Sequence, residues 1–153
     1  MKMYNKQIID RFVAPHNVGL IKGADAVGSA KNDALGEVAK VYLTVENEIV
    51  TDAKFKVFGC ITSTVGLDLL MDEIKGKNIE EITNVSFDEI VEQMGEVSRE
   101  KLVCLGLMSD VLVDALKDYH KKQLRLQKMR ERLALEQQIS QEPFHIAIIG
   151  DDD

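Results

Sequence analysis

The stretch Ala53–Gly76, AKFKVFGCITSTVGLDLLMDEIKG, constrains the fold more than any other part of the chain. Ala53, Phe55 and Val57 alternate with Lys54 and Lys56, which predicts a strand with one face in water. Gly59 is expected to let the backbone turn. From Ile61 the period changes: Ile61, Val65 and Leu69, together with Leu67, Met71 and Ile74, recur at helical spacing. A strand must therefore hand over directly to a helix, and Cys60 sits at the junction. Unsatisfied amide N–H groups and the positive end of the helix dipole favour a thiolate there. The competing reading is a small buried core cysteine.

Composition limits what such a unit can do. A chain of 153 residues with 45% hydrophobic content suits one domain with a real core. A net charge of −7 argues against general nucleic-acid binding. No apolar run reaches the ~18 residues of a membrane span, and the polar start MKMYNKQ is not a signal peptide. Two cysteines without an export signal point to the cytoplasm, where a structural disulfide is not expected. The sequence lacks G-x-S-x-G, H-E-x-x-H and a Walker-type glycine loop, so it does not read as an enzyme.

The remaining elements follow in order. Asn5–Phe12 reads as an amphipathic helix stopped by Pro15, and His16–Gly19 as a turn. Residues 20–37 are rich in Gly, Ala, Asp and Asn without periodicity and read as a long mobile loop. Strands are expected over Val38–Val45 and Ile49–Phe58, joined by a turn at Glu46–Glu48. Asn78 and Glu81 are expected to cap a short helix, and Ser86 with Glu89 to form a capping box for Phe87–Met94. A long helix is expected from Arg99 to Lys121, carrying Cys104 in its first turns. Cys60 and Cys104 lie 44 residues apart with no C-x-x-C, so spacing alone does not bring them together.

Lys117 to Arg132 contains seven Lys/Arg against two Asp/Glu, a balance of +5 that leaves −12 on the rest. Leu126, Met129 and Leu133 continue an apolar stripe beyond Tyr119, so the helix should run on past the domain. Its basic surface is either a solvated face or a docking face for an acidic partner or a second subunit. Phe144–Ile149 could add a strand to a sheet edge or hang free. The division is therefore residues 1–122 as the main domain and residues 123–153 as a basic helical extension with an apolar and acidic tail.

Several of these residues together carry a family likeness. Ile9-Asp10 with Pro15-His16-Asn17-Val18-Gly19, Gly36-Glu37-Val38-Ala39-Lys40, Asp52 to Cys60, Lys75-Gly76-Lys77, Lys101-Leu102-Val103-Cys104 and Asp118-Tyr119 occur in order and at matching spacing. From Tyr4 to about Lys122 the chain resembles the iron–sulfur cluster assembly scaffolds of the IscU/NifU N-terminal type. The resemblance implies an α+β fold, a small antiparallel three-stranded sheet with helices packed on one face. It also implies a partner cysteine desulfurase that supplies sulfur, a transient [2Fe–2S] cluster or iron (or zinc in its place), and acceptor proteins that receive the cluster.

Carried over residue by residue, the second and third family cysteines fall on Cys60 and Cys104, and the lysine before the third falls on Lys101. The first cysteine falls on Leu35, the aspartate two residues later on Glu37, and the histidine on Val103. The segment read by a specialised Hsp70 chaperone falls on Val97 to Lys101, without its prolines. Cys60, Cys104 and Glu37 are then the metal ligands and Lys101 an accessory cation. Four ligands are the usual requirement for [2Fe–2S] iron and for structural zinc, and one chain falls short. A homodimer supplying Cys60 and Cys104 twice would close the site; a small thiol such as glutathione is the other solution. The alternative function is a degenerate scaffold acting as a non-cluster adaptor for a desulfurase or an acceptor, with the basic extension after Lys121 as its partner surface. Leu35 is expected to tuck the loop into the core.

Overall fold

The chain forms a three-stranded antiparallel sheet whose strands lie side by side in chain order. The computed structural model describes residues 5–95 and 106–140. Cys104, Lys101, Val103, the Val97–Lys101 segment and Phe144–Ile149 lie outside the described residues. The described elements are α1 (Lys6–Val13), β1 (Ala26–Asn32), β2 (Glu37–Glu46), β3 (Ile49–Phe58), α2 (Ile61–Ile74), a 3-10 turn (Ile79–Asn84), α3 (Phe87–Gln93) and α4 (Gly106–Ser140). Helices and an antiparallel sheet make this an α+β fold, as the resemblance implied. The chain falls into two compact units, Met1–Tyr119 and His120–Asp153.

β2 and β3 form the expected hairpin. Val41 faces Phe55 and Leu43 faces Ala53 across it, and all four are buried. Asn47 and Glu48 both adopt positive φ, the left-handed pair that a two-residue hairpin turn requires. The buried face packs on α2, whose apolar residues are covered nearly all round: Val65, Leu67, Leu70, Met71 and Ile74 are inaccessible or close to it. Burial of this order contributes roughly 1.5–3 kcal/mol per large side chain. Ser86 accepts the Glu89 amide at the start of α3, and Asn78 accepts the Glu80 amide at the 3-10 turn, as their sequence positions foretold.

The stretch 20–37 is not one long loop. β1 occupies Ala26–Asn32 and pairs with β2 along its length, leaving a tight turn at 33–36. Its inward positions are Ala26, Gly28 and Ala30, side chains too small to register as hydrophobic alternation. What makes it a strand lies elsewhere in the chain. The Val27 and Ser29 amides on its outer edge donate to Asp118 and Asp114 of α4, each at 2.7 Å. A Cβ on Gly28 would lie 2.3 Å from the Val111 carbonyl and 2.7 Å from the Ala115 nitrogen, so only glycine lets the helix approach this closely. Leu35, expected to tuck into the core, is instead 48% exposed on the 33–36 turn. With so few residues in that turn, its side chain has no path back under the sheet.

The outer edge of β3 is covered by Asn17–Gly19, where the Phe55 amide donates to the Asn17 carbonyl and the Gly19 amide to the Phe55 carbonyl, both at 2.9 Å. In the second unit, residues 123–140 of α4 are exposed on every side, including Leu126, Met129 and Leu133.

Candidate metal centre at the strand-to-helix junction

The chain leaves β3 at Phe58, bends at Gly59 and enters α2 with Cys60 as its N-cap, in extended backbone geometry. Cys60 is half-buried. Its amide N–H points at two oxygens, Glu37 Oε2 at 3.2 Å and Ser63 Oγ at 3.1 Å. Its Sγ lies 3.2 Å from the same Ser63 hydroxyl. The cysteine is therefore placed at the helix start, as its sequence position required, and not within the hydrocarbon core.

Glu37 opens β2, and its carboxylate reaches across the end of β3 to the helix terminus. Its residue is only 3% exposed. Ser63 Oγ donates to Glu37 Oε2 at 2.5 Å, so Oε2 faces two donors. Oε1 is buried with no hydrogen-bond partner among the described residues. Buried polar atoms in folded proteins are nearly always paired, and leaving an acceptor unpaired costs about 1–3 kcal/mol. The junction thus offers a half-buried thiol and, on the carboxylate that holds the Cys60 amide, an oxygen with bonding capacity to spare.

Gly59 explains how the carboxylate fits. Its φ is not in the left-handed region, so the bend alone does not demand glycine. A Cβ there would stand 2.4 Å from Glu37 Oε2 and 2.9 Å from Ser63 Oγ. The missing side chain is the space the carboxylate occupies.

Among the sequence-derived ligands, the structure brings Cys60 and Glu37 together. Cys104 and Lys101 lie outside the described residues, and among the described residues no group of three His, Cys, Asp or Glu side chains is arranged to hold a metal. Leu35, two residues before Glu37, is on the adjoining turn. Around the junction Val38, paired with Phe58 across β2 and β3, is half in solvent, and Phe58 is 79% exposed. Sequence reasoning missed Ser63, although a serine three residues into a helix, after the capping residue, is a recognisable signal.

It also missed a polar cluster further along α2. Asp68, fully buried in α2, accepts Arg11 Nε at 2.6 Å and the His16 and Asn17 amides at 3.1 and 2.8 Å. Asn17 Nδ2 donates to the Asp68 carbonyl and to Asp72, and Lys75 Nζ donates to Asn17 Oδ1. Burial pushes the Asp72 carboxyl up, but hydrogen bonds from Asn17 and Arg11 and the charges of Arg11 and Lys75 outweigh it and hold the group below the usual carboxylate range. The Pro15-His16-Asn17 motif thus serves here to fasten the N-terminal segment to α2. A lone aspartate in the middle of an apolar helix was the available clue.

With this geometry in hand, likeness to known proteins is informative. The family profile described as "NifU-like N terminal domain" matches residues 3–126. The chain belongs to this family. Two relatives support the membership. A protein of Archaeoglobus fulgidus named iron-sulfur cluster assembly scaffold protein IscU 1 is 34% identical over 137 residues, covering 90% of this chain and 89% of its own. The protein of Aquifex aeolicus named iron-sulfur cluster assembly scaffold protein IscU is 34% identical over 126 residues, covering 81% and 80%. The N-terminal part of a NifU-like protein from Brucella abortus shares the fold, with a TM-score of 0.59 at 17% identity over 77% of this chain and 94% of that one. Among the described residues, no helix is long and apolar enough to cross a membrane.

Proposed function

We propose that this chain is an iron–sulfur cluster assembly scaffold, which holds a transient [2Fe–2S] cluster or its iron as cargo and catalyses no reaction of its own. Cys60 and Glu37 are two of its ligands, Cys104 is a third, and Lys101 is a nearby cation. Sulfur arrives from a cysteine desulfurase, and the finished cluster passes to an acceptor protein, in the reducing cytoplasm where the thiols stay reduced. One observation carries this reading: the buried carboxylate of Glu37 holds the Cys60 amide with one oxygen, while its Oε1 has no hydrogen-bond partner among the described residues. The names of the IscU relatives support the scaffold role.

A thiolate and a carboxylate oxygen together suit ferrous iron, which accepts both soft and hard donors. Three ligands fall short of the four that a [2Fe–2S] cluster takes from protein, so a second chain or a small thiol completes the coordination. Leu35, Val38 and Phe58 form an exposed apolar rim next to the site, the kind of surface a partner protein covers.

Anaerobic reconstitution with iron and sulfide tests the proposal. The expected result is visible thiolate-to-iron absorption with iron and acid-labile sulfide in equal amounts, reduced at least tenfold by Cys60→Ser. A Cys60→Ser variant that reconstitutes as fully as the parent would overturn it. Capture of a desulfurase by protein that takes up no metal would favour the adaptor reading instead.

A further inference from the structure

Ser63 stands between the two described ligands and touches both. Its hydroxyl carries one proton. The shortest of its contacts is with Glu37 Oε2 at 2.5 Å, so that is where the proton goes, and the oxygen is left to accept the Cys60 amide at 3.1 Å. Ser63 Oγ also lies 3.2 Å from Cys60 Sγ and is itself 1% exposed, shielded from competing water.

We infer that Ser63 is a positioning residue for Glu37: it commits Oε2 to the protein and so presents Oε1 alone to a metal ion. This rests on the scaffold reading above and goes on to say how the carboxylate ligates. A carboxylate with both oxygens available chelates through two atoms or swings between them. Here one oxygen is saturated by the Ser63 hydroxyl and the Cys60 amide, and the space left by Gly59 fixes the group against the helix start. Glu37 is therefore a one-oxygen donor, and it leaves coordination positions open for sulfide and for thiolates. The hydroxyl does for this carboxylate what outer hydrogen-bond partners do for metal ligands in general, where their loss typically costs 10–100-fold in affinity.

The bland role for Ser63 is a helix cap acting through the Cys60 amide, and the test must separate the two. Anaerobic titration of the full chain with Co²⁺, a spectroscopic stand-in for ferrous iron, reads thiolate-to-cobalt absorption and affinity directly. Ser63→Ala is expected to weaken Co²⁺ about tenfold or more. Glu37→Gln is expected to do the same, and Ser63→Ala added to Glu37→Gln to change little further, within about twofold. Ser63→Thr, which keeps the hydroxyl, is expected to retain affinity within about threefold, and it decides the matter if the alanine variant does not fold. Wild-type affinity in Ser63→Ala overturns the inference. So does an equal loss in both backgrounds, or a threonine variant as weak as alanine. A parent protein that shows no thiolate-to-cobalt band overturns the scaffold reading itself, whereas a parent that binds alongside a silent Ser63→Ala overturns only the role of Ser63.

Discussion

Gly59→Ala adds a single methyl group at the point where the sheet, the helix start and the carboxylate meet. Its Cβ would lie 2.4 Å from Glu37 Oε2, where ordinary contact begins at 3.4 Å, so the carboxylate must retreat by about 1 Å. The Ser63–Glu37 hydrogen bond would then stretch from 2.5 Å to about 3.5 Å, beyond useful range. Losing a hydrogen bond to a charged group costs about 1.5–3 kcal/mol. Against this, replacing glycine by alanine at a backbone angle alanine tolerates returns about 0.4–1 kcal/mol through the unfolded chain. The net expectation is a destabilisation of roughly 1–2 kcal/mol. At an m value of about 2 kcal/mol/M, the urea midpoint would fall by roughly 0.5–1 M. Equilibrium urea unfolding followed by circular dichroism reads this directly. The same measurement in a Glu37→Ala background is the control, because with no carboxylate to displace, at least half of the penalty should vanish. A Gly59→Ala protein as stable as the parent would refute the reasoning. So would a penalty that persists undiminished without Glu37.

Three further outcomes follow from the same geometry. Leu35→Cys places a thiol on the turn two residues before Glu37, so iron and sulfide uptake on anaerobic reconstitution should rise; unchanged uptake would mean the 33–36 turn does not reach the metal. Asp118→Ala removes the acceptor of the part-buried Val27 amide and should cost about 1.5–3 kcal/mol in urea unfolding, whereas Asp114→Ala, whose Ser29 partner can turn to water, should cost less than about 1 kcal/mol. Equal effects of the two would argue against β1 being held through its edge. The third concerns acid. Folding holds the Asp72 carboxyl below its usual value, so its contribution to stability is complete above the unfolded value of about 3.9 and is lost as pH falls through the lower folded value. Urea midpoints should therefore drop below about pH 4 in the parent, and the drop should be shallower in Asp72→Asn; parallel acid limbs would dissociate Asp72 from acid sensitivity.

Much of this molecule was legible because its signals are local. The change of period from Phe55 to Ile61 marks the junction, the polar run Glu46-Asn47-Glu48 marks the hairpin turn, and Ser86 and Asn78 cap the elements that follow them. Each of these depends on residues within a turn or two of one another, so pattern and turn chemistry suffice. Cys60 at the helix start belongs to the same class, and so does the sequence likeness to cluster scaffolds.

What the sequence by itself determined, then, is the order of elements, the place of Cys60 and the family. Only the tertiary structure decided that Ala26–Asn32 is a strand, because the aspartates that hold its edge lie 85 and 91 residues further on. Only the tertiary structure gave Gly59 its reason, put the hydroxyl of Ser63 against a carboxylate 26 residues away, and left one oxygen of Glu37 buried without a partner among the described residues. The physical cause is the same in each case: burial and hydrogen bonding are settled by which groups exclude water from one another, and those groups are neighbours in space long before they are neighbours in sequence.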